Sequence, residues 1–182
     1  MRRRDLAFLA LAPLPFACAR ADALADRLRL GACVVLLRHG RTTPGVGDPP
    51  GFRLDACSTQ RNLSDEGRAA SQRLGAWFKA AGLAPRAVRT SAWCRCRDTA
   101  DLAFGTHTVW APLNSTFQGA TAEATTATAA LRSALTAMPA GAFEVWVTHQ
   151  VNITALTGEV PSMGEGLIVD AGGQVRGRSS FS

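Results

Sequence analysis

Residues 32–42 read ACVVLLRHGRT, and this stretch decides the fold. Its first part, residues 32–37, is an unbroken apolar run of the kind that forms a strand buried on both faces of a parallel sheet. The run leads directly into residues 38–42, RHGRT, where several side chains are ionisable. Ligands of open α/β sheets bind beyond the carboxyl ends of the strands, so the pattern predicts a functional loop here.

Strands and helices alternate downstream of this loop. Ser64 followed by two acidic residues predicts a helix N-terminus, and Gly82 predicts its end. Further predicted strands cover residues 86–90, 109–110, 143–148 and 167–170, and further predicted helices cover residues 95–104, 121–137 and 151–157. The tail over residues 176–182 is predicted to fray. The alternation predicts an α/β fold, a three-layer αβα sandwich with a mostly parallel central sheet.

Length and composition narrow the class of protein. A chain of 182 residues with 47% hydrophobic residues is long enough for one globular domain with a substantial core. The formal net charge is +6, and Lys79 is the only lysine among 20 basic residues. Because the arginines are scattered, we expect no nucleic-acid partner, although some could hold an anion. No apolar run reaches 18 residues, so we expect no stable membrane span. No large exposed apolar stripe stands out in the sequence, so we expect a monomer.

The N-terminus has the pattern of an export signal. Residues 1–4 are MRRR, residues 6–17 are apolar, and small residues follow near positions 17–23. We therefore expect a signal peptide over residues 1–23, with an approximate end, and a functional domain over residues 24–182. The predicted location is periplasmic or secreted. Two alternatives are a lipoprotein anchored at Cys18 and an N-terminal amphipathic helix of the fold.

Export would place the remaining cysteines in an oxidising compartment. Cys33, Cys57, Cys94 and Cys96 allow three full pairings, among which the sequence does not choose. Cys33 lies in the apolar run and is predicted to be a buried thiol. The pair Cys57 and Cys94 is the preferred bridge. Cys94 and Cys96 are too close in sequence for an easy bridge between them.

Three predicted strand ends carry residues suited to one reaction. Residues 38–42 follow the first strand, Ser91 and Arg95 follow the second, and His149 follows the strand over residues 143–148. Guanidinium groups can clamp a phosphate and stabilise its charge in the transition state. A neutral imidazole can attack phosphorus and become phosphorylated. The set therefore predicts phosphoryl transfer, which requires no metal, and no cofactor or metal site is indicated.

These segments resemble the histidine phosphatase (phosphoglycerate mutase-like) superfamily over roughly residues 33–170. The resemblance rests on the RHGRT segment at 38–42, Arg61-Asn62-Leu63-Ser64, the segment from Ser91 to Ala100, and Thr148-His149-Gln150. It implies that His39 is the nucleophile, that Arg38 and Arg95 bind phosphate, and that His149 is the second histidine of the site. Further substrate-binding candidates are Arg41, Thr42, Arg61 and Gln150.

The sequence departs from the family pattern at the general acid. Residues 112–118 contain no carboxylate where one branch has a glutamate, and Gln150 stands where another has an aspartate. The remaining candidates for the proton donor are Glu165, Asp48 and Asp55. If none serves, esters with good leaving groups could still be hydrolysed.

The expected function is that of an exported phosphomonoester hydrolase acting through a phosphohistidine on a small or sugar-phosphate substrate. Two alternatives stay open. One is a non-catalytic phosphate or sugar-phosphate binder that kept the clamp, and the other is a mutase-type phosphotransferase.

Overall fold

The computed structural model describes residues 16–44, 47–117, 119 and 121–181. The helices are α1 (Phe16–Leu30), α2 (Asp65–Ala80), α3 (Cys94–Phe104), α4 (Thr121–Thr136) and α5 (Gln150–Thr157). The strands are β1 (Cys33–Arg38), β2 (Ala87–Thr90), β3 (Thr108–Val109), β4 (Phe143–Thr148), β5 (Gly166–Asp170) and β6 (Val175–Ser179). Short 3-10 turns cover Cys57–Thr59 and Ala111–Leu113.

The strands form one mixed, mostly parallel sheet in the order β3-β2-β4-β1-β5-β6. β1, β2, β3 and β4 pair in parallel, whereas β5 runs antiparallel to β1 and β6 antiparallel to β5. Helices flank this sheet, which confirms the predicted α/β fold. The parallel pairing brings the carboxyl ends of β1, β2 and β4 to one edge of the sheet.

Alternate residues of β1 point into two separate cores. Val35 packs with side chains of α2 and α3, including Leu74 and Phe78, while Val34 packs with Leu131 of α4 and other residues of the opposite layer. The residues of β1 from Cys33 to Leu37 are at most 1% exposed. This two-sided burial is the physical reason for the unbroken apolar run in the sequence.

The prediction of a frayed tail was wrong. Residues Val175–Ser179 form β6 on the sheet edge, and Phe181 beyond it is 1% exposed. Its ring packs 4.9 Å from that of Trp77 and 5.2 Å from that of Phe78, measured between centroids. The tail reads as polar because a strand at the sheet edge turns alternate side chains such as Arg176 and Arg178 to solvent.

Helix α1 overlaps the predicted signal segment. Residues 1–15 of that segment lie outside the described residues, and residues 16–23 form the first half of α1. Ala25 and Leu28, in the second half of α1, are buried in the core that contains Val35. Both residues lie beyond the predicted cleavage region. Within the described part of the chain, no helix has the length and apolar character needed to cross a membrane. The signal peptide stays a prediction.

A disulfide joins Cys57 to Cys94, with the two Cα atoms 5.6 Å apart, which confirms the preferred pairing. It links the turn that follows the long loop after β1 to the first residue of α3. Cys33 and Cys96 are free cysteines, and both are buried. The buried thiol predicted at Cys33 is therefore confirmed.

The first turn of α2 packs directly on the loop after β1. Ser64 caps the helix, because its Oγ accepts a hydrogen bond of 3.1 Å from the backbone N–H of Gly67. A Cβ atom at Gly67 would collide with the carbonyl oxygen of Arg41. The absence of a side chain at Gly67 thus lets the helix approach the loop that carries His39.

We expect Gly67→Ala to destabilise the protein. In an open helix this change would add about 0.5–1 kcal/mol of stability, but here the new methyl group must push the loop away, at a cost of about 1–3 kcal/mol. Urea unfolding followed by circular dichroism would measure the effect, with the exposed Gln72→Ala of the same helix as control. A more stable Gly67→Ala protein would contradict the packing described for this turn.

Candidate active site

A cavity of about 720 Å³ opens where β1, β2 and β4 end. It is lined by Arg38, His39, Gly47, Asp48, Phe52, Arg61, Trp93, Arg95, Ser115, Phe117, His149, Gln150, Val151, Thr154 and Ala155. Residues from all three predicted strand ends therefore meet in one place. Within the described residues, no group of three or more His, Cys, Asp or Glu is arranged to hold a metal ion.

His39 lies at the buried end of this cavity and is 3% exposed. Its Nδ1 is 2.9 Å from the carbonyl oxygen of Gly40. A carbonyl can only accept, so we assign the imidazole proton to Nδ1, which leaves the lone pair on Nε2. The loop that carries His39 is held against α3, because the backbone N–H of Gly40 donates to Thr99 Oγ1 over 2.9 Å.

The surroundings of His39 keep its ring neutral. Burial is the largest cause, and the positive charges of Arg95, Arg38 and Arg61 act in the same direction. The hydrogen bond to Gly40 opposes them, and the resulting pKa of His39 is lowered to about 3. At neutral pH the imidazole is therefore unprotonated at Nε2 and able to act as a nucleophile.

His149 stands beside His39, with ring centroids 5.5 Å apart in an edge-to-face arrangement. Its Nε2 is 2.8 Å from Ser91 Oγ and 3.5 Å from Cys96 Sγ. Burial, followed by the charges of His39 and Arg95, holds the pKa of His149 well below its ordinary value. The second ring is thus also neutral and fixed by the segment that follows β2.

Three arginines of the cavity hold unpaired hydrogen-bond donors. The Nε atoms of Arg38, Arg61 and Arg95 are buried and have no hydrogen-bond partner in the described part of the chain. Buried polar groups of proteins are normally paired, so these donors suit a multivalent acceptor. A phosphate has several oxygens and the opposite charge, and guanidinium groups bind it strongly.

Asp48 organises this cluster. Its carboxylate accepts from Arg95 Nη1 over 2.8 and 3.1 Å, from the Arg61 backbone N–H over 2.9 Å and from Trp93 Nε1 over 3.1 Å. Burial raises the pKa of Asp48, but these donors together outweigh burial, and the net pKa is lowered. The Asp48 carboxylate is therefore ionised and fully engaged with Arg95 and its neighbours.

The other predicted site residues divide into two groups. Arg61 and Gln150 line the cavity, whereas Arg41 and Thr42 are not among its described lining residues. Arg41 is exposed and lies 3.4 Å from Glu66, measured from Nε to Oε2. Thr42 is buried, with Oγ1 3.7 Å from the sulfur of Met163.

The remaining two candidates for the general acid lie away from the described cavity lining. Asp55 forms an exposed ion pair of 3.1 Å with Arg53. Glu165 accepts from the backbone N–H of Ser162 over 2.8 Å and pairs with Arg178 over 2.9 Å. Asp48 is thus the candidate that the structure places in the cavity.

The sequence did not predict that aromatic residues line this cavity. Phe52 and Phe117 lie in loops without periodicity, so no pattern indicated them. In the structure the Trp93 ring is 5.2 Å from that of His149 and 5.8 Å from that of Phe52, measured between centroids. With the His39–His149 pair, these contacts form a continuous row of rings from His39 to Phe52.

The two buried histidines should make the protein acid-sensitive. Between pH 6.5 and the folded-state pKa of His39 near 3, the unfolded chain binds a proton that the folded chain excludes. The free energy of unfolding therefore falls as the pH drops, by about 1 kcal/mol per pH unit for His39, and His149 adds in the same direction. Urea unfolding between pH 7 and pH 5, in phosphate-free buffer, would measure this slope. In His39→Gln it should be shallower, and an equal slope in both proteins would contradict the expectation.

Residues 34–118 match the histidine phosphatase superfamily (branch 1), the superfamily that the motifs resemble. The fold is similar to that of the protein histidine phosphatase SixA complexed with tungstate, with 16% identity, a TM-score of 0.54, and coverage of 82% of this chain and 97% of that one. It is also similar to a phosphoglycerate mutase from Thermus thermophilus, with 20% identity, a TM-score of 0.55, and coverage of 80% and 97%. Among curated proteins, none matches the chain significantly.

Proposed function

We propose that this chain, which matches the histidine phosphatase superfamily over residues 34–118, is a phosphomonoester hydrolase that works through a phosphohistidine at His39. The observation that carries the proposal is the pairing of a neutral His39, with its Nε2 lone pair available, and three cavity arginines with unpartnered donors. An imidazole nucleophile and a cationic clamp are the two requirements of this chemistry.

The reaction has two displacements. Arg38, Arg61 and Arg95 bind the phosphate oxygens, and His39 Nε2 attacks phosphorus in line. The N–P bond forms as the bond to the leaving oxygen breaks, and the leaving oxygen takes a proton. A water molecule then attacks the phosphohistidine, which releases inorganic phosphate and restores the imidazole. The arginine charges stabilise the equatorial oxygens in both steps.

Asp48 supports this reaction as a positioning residue. Its contacts to Arg95, to the Arg61 backbone and to Trp93 hold one face of the phosphate clamp in place. Because the carboxylate is ionised, it has no proton to give. The leaving oxygen therefore takes its proton from water, which favours alcohols of low pKa.

The substrate is a small phosphate monoester, and sugar phosphates belong to this class. We further propose that the protein acts in the periplasm or outside the cell. The predicted signal segment and the Cys57–Cys94 disulfide support this location, because disulfides persist in oxidising compartments. N-terminal sequencing of the protein from its native envelope should find a start near residues 20–24. An intact N-terminus in the cytoplasm would contradict export.

One observation favours a second candidate function. The described cavity lining contains no carboxylate other than Asp48, which is occupied by Arg95. A protein that lost its proton donor could bind phosphate esters without turning them over. This non-catalytic binder is the alternative that the next experiment distinguishes.

The test is to trap the phosphoenzyme. The full chain is mixed with phenyl phosphate for milliseconds, quenched in base, digested and examined by mass spectrometry. We expect one phosphoryl group, stable in base and labile in acid, on the peptide that contains His39. His107→Asn serves as a matched control and should trap normally. Bound phenyl phosphate without any phosphopeptide or released phosphate would instead support the non-catalytic binder.

A further inference from the structure

The cavity is much larger than a phosphate group needs. Its volume of about 720 Å³ lies in the range of pockets that enclose a drug-sized ligand. His39 and the phosphate-binding Arg95 lie at its buried end, since both are almost inaccessible to solvent. The rest of the cavity extends outward to Phe117, which is 81% exposed at the mouth. This outer space is available to the leaving group.

The walls of the outer space are apolar. Phe52, Trp93, Phe117, Val151 and Ala155 all line the cavity, and neutral Ser115, Gln150 and Thr154 complete this part of the lining. The Phe52 and Trp93 rings pack together at 5.8 Å. Flat aromatic surfaces of this kind favour another ring in offset or edge-to-face contact.

The charges of the cavity belong to the clamp. Among the described lining residues, the charged side chains are Arg38, Arg61, Arg95 and Asp48. Asp48 is neutralised by its bidentate contact with Arg95 Nη1. The wall defined by Phe52, Trp93, Phe117, Val151 and Ala155 therefore offers no partner for a charged leaving group.

The lack of a proton donor in the described lining favours a leaving group that needs little protonation. With Asp48 ionised and paired, the described lining offers no carboxylic acid to protonate a departing alkoxide. A phenol has a pKa near 10, as in the tyrosine side chain. An aryl oxide can thus leave with little protonation, whereas a sugar or glycerol alkoxide is far more basic.

We propose that the site takes phosphate monoesters of neutral aromatic alcohols, with the ring seated against Phe52, Trp93 and Phe117. This assignment rests on the proposed hydrolase function and specifies its substrate class. The buried arginines hold the phosphate, and the aromatic wall selects the leaving group.

The experiment compares four esters on the full chain: phenyl, naphthyl, hexafluoroisopropyl and glycerol phosphate. Hexafluoroisopropyl phosphate has a non-aromatic leaving group about as acidic as phenol, so it separates ring recognition from leaving-group pKa. We expect kcat/KM for phenyl phosphate to exceed that for hexafluoroisopropyl phosphate by about 10-fold or more, in line with the worth of a hydrophobic contact. Naphthyl phosphate should do at least as well as phenyl phosphate.

Phe117→Ala tests the wall directly, since Phe117 is exposed and its truncation leaves the core intact. We expect it to raise KM for naphthyl phosphate about 5-fold with kcat unchanged, and to leave glycerol phosphate unaffected. Val160→Ala, an exposed apolar truncation outside the described lining, is the matched control.

Two results would overturn the assignment: equal kcat/KM for phenyl and hexafluoroisopropyl phosphate, or an equal effect of Phe117→Ala on naphthyl and glycerol phosphate. A wild-type protein that hydrolyses none of the four esters would overturn the hydrolase function instead.

Discussion

His39→Ala should lower kcat for phenyl phosphate by a factor on the order of 10⁴ to 10⁶, the range seen when an enzyme loses its nucleophile. The variant keeps Arg38, Arg61, Arg95 and His149, so phosphate esters should still bind. The His39 ring forms its hydrogen bond with the adjacent Gly40, so that contact is local in the chain. We therefore expect a folded protein that binds substrate and does not turn it over.

Continuous assay of phenol release would measure this loss, and circular dichroism would verify the fold. His107→Ala is the matched control, because His107 pairs with Asp101 of α3 and is not among the described residues that line the cavity. Added imidazole should restore part of the turnover of His39→Ala by entering the space left by the ring. Wild-type rates in His39→Ala would rule out the phosphohistidine pathway.

Arg95→Ala should lower kcat/KM by a factor of about 10³, since it removes one charged donor from a buried transition-state clamp. Arg95→Lys should recover only a small part, because a lysine provides charge without the planar guanidinium group that contacts Asp48 and that we propose binds phosphate. Arg73→Ala, an exposed arginine on α2, should leave the rate unchanged.

The double variant distinguishes positioning from independent catalysis. If Asp48 acts only by holding Arg95, then adding Asp48→Ala to Arg95→Ala should cause little further loss of kcat/KM. If the two losses instead multiplied, Asp48 would have a role of its own, such as proton donation. The pH profiles support the distinction, since a proton donor would make the rate fall as the pH rises through the pKa of Asp48, and this fall would disappear in Asp48→Asn.

Much of the fold could be predicted because its strongest signals are local. The apolar run ending at Leu37 can be satisfied only by two-sided burial, and Ser64 marks its helix start through a cap that the structure contains. The convergence of His39, Arg95 and His149 followed from topology, because parallel strands bring their carboxyl ends to one edge. These inferences needed no knowledge of side-chain packing.

The rest depended on contacts between distant segments. Phe181 is buried because it meets Trp77 and Phe78, and nothing within residues 175–182 reveals that partnership. Asp48 could be placed near the site, but its ionised state depends on Arg95, 47 positions away in the chain. The sequence did not predict the aromatic wall for the same reason, because Phe52 and Phe117 come together only in the cavity of the folded protein.

The Cys57–Cys94 crosslink has a consequence for how the binding cluster is held together. It joins Cys57, which lies between Asp48 and Arg61 in the chain, to Cys94, which precedes Arg95 in the first turn of α3. Since a covalent tie across 37 positions restricts the disordered chain, it lowers the entropic cost of bringing these cationic groups together by about 2–4 kcal/mol. The disulfide thus helps to hold the mutually repelling Arg61 and Arg95 close together in the protein without a bound anion. We expect thiol reductants to weaken this preorganisation.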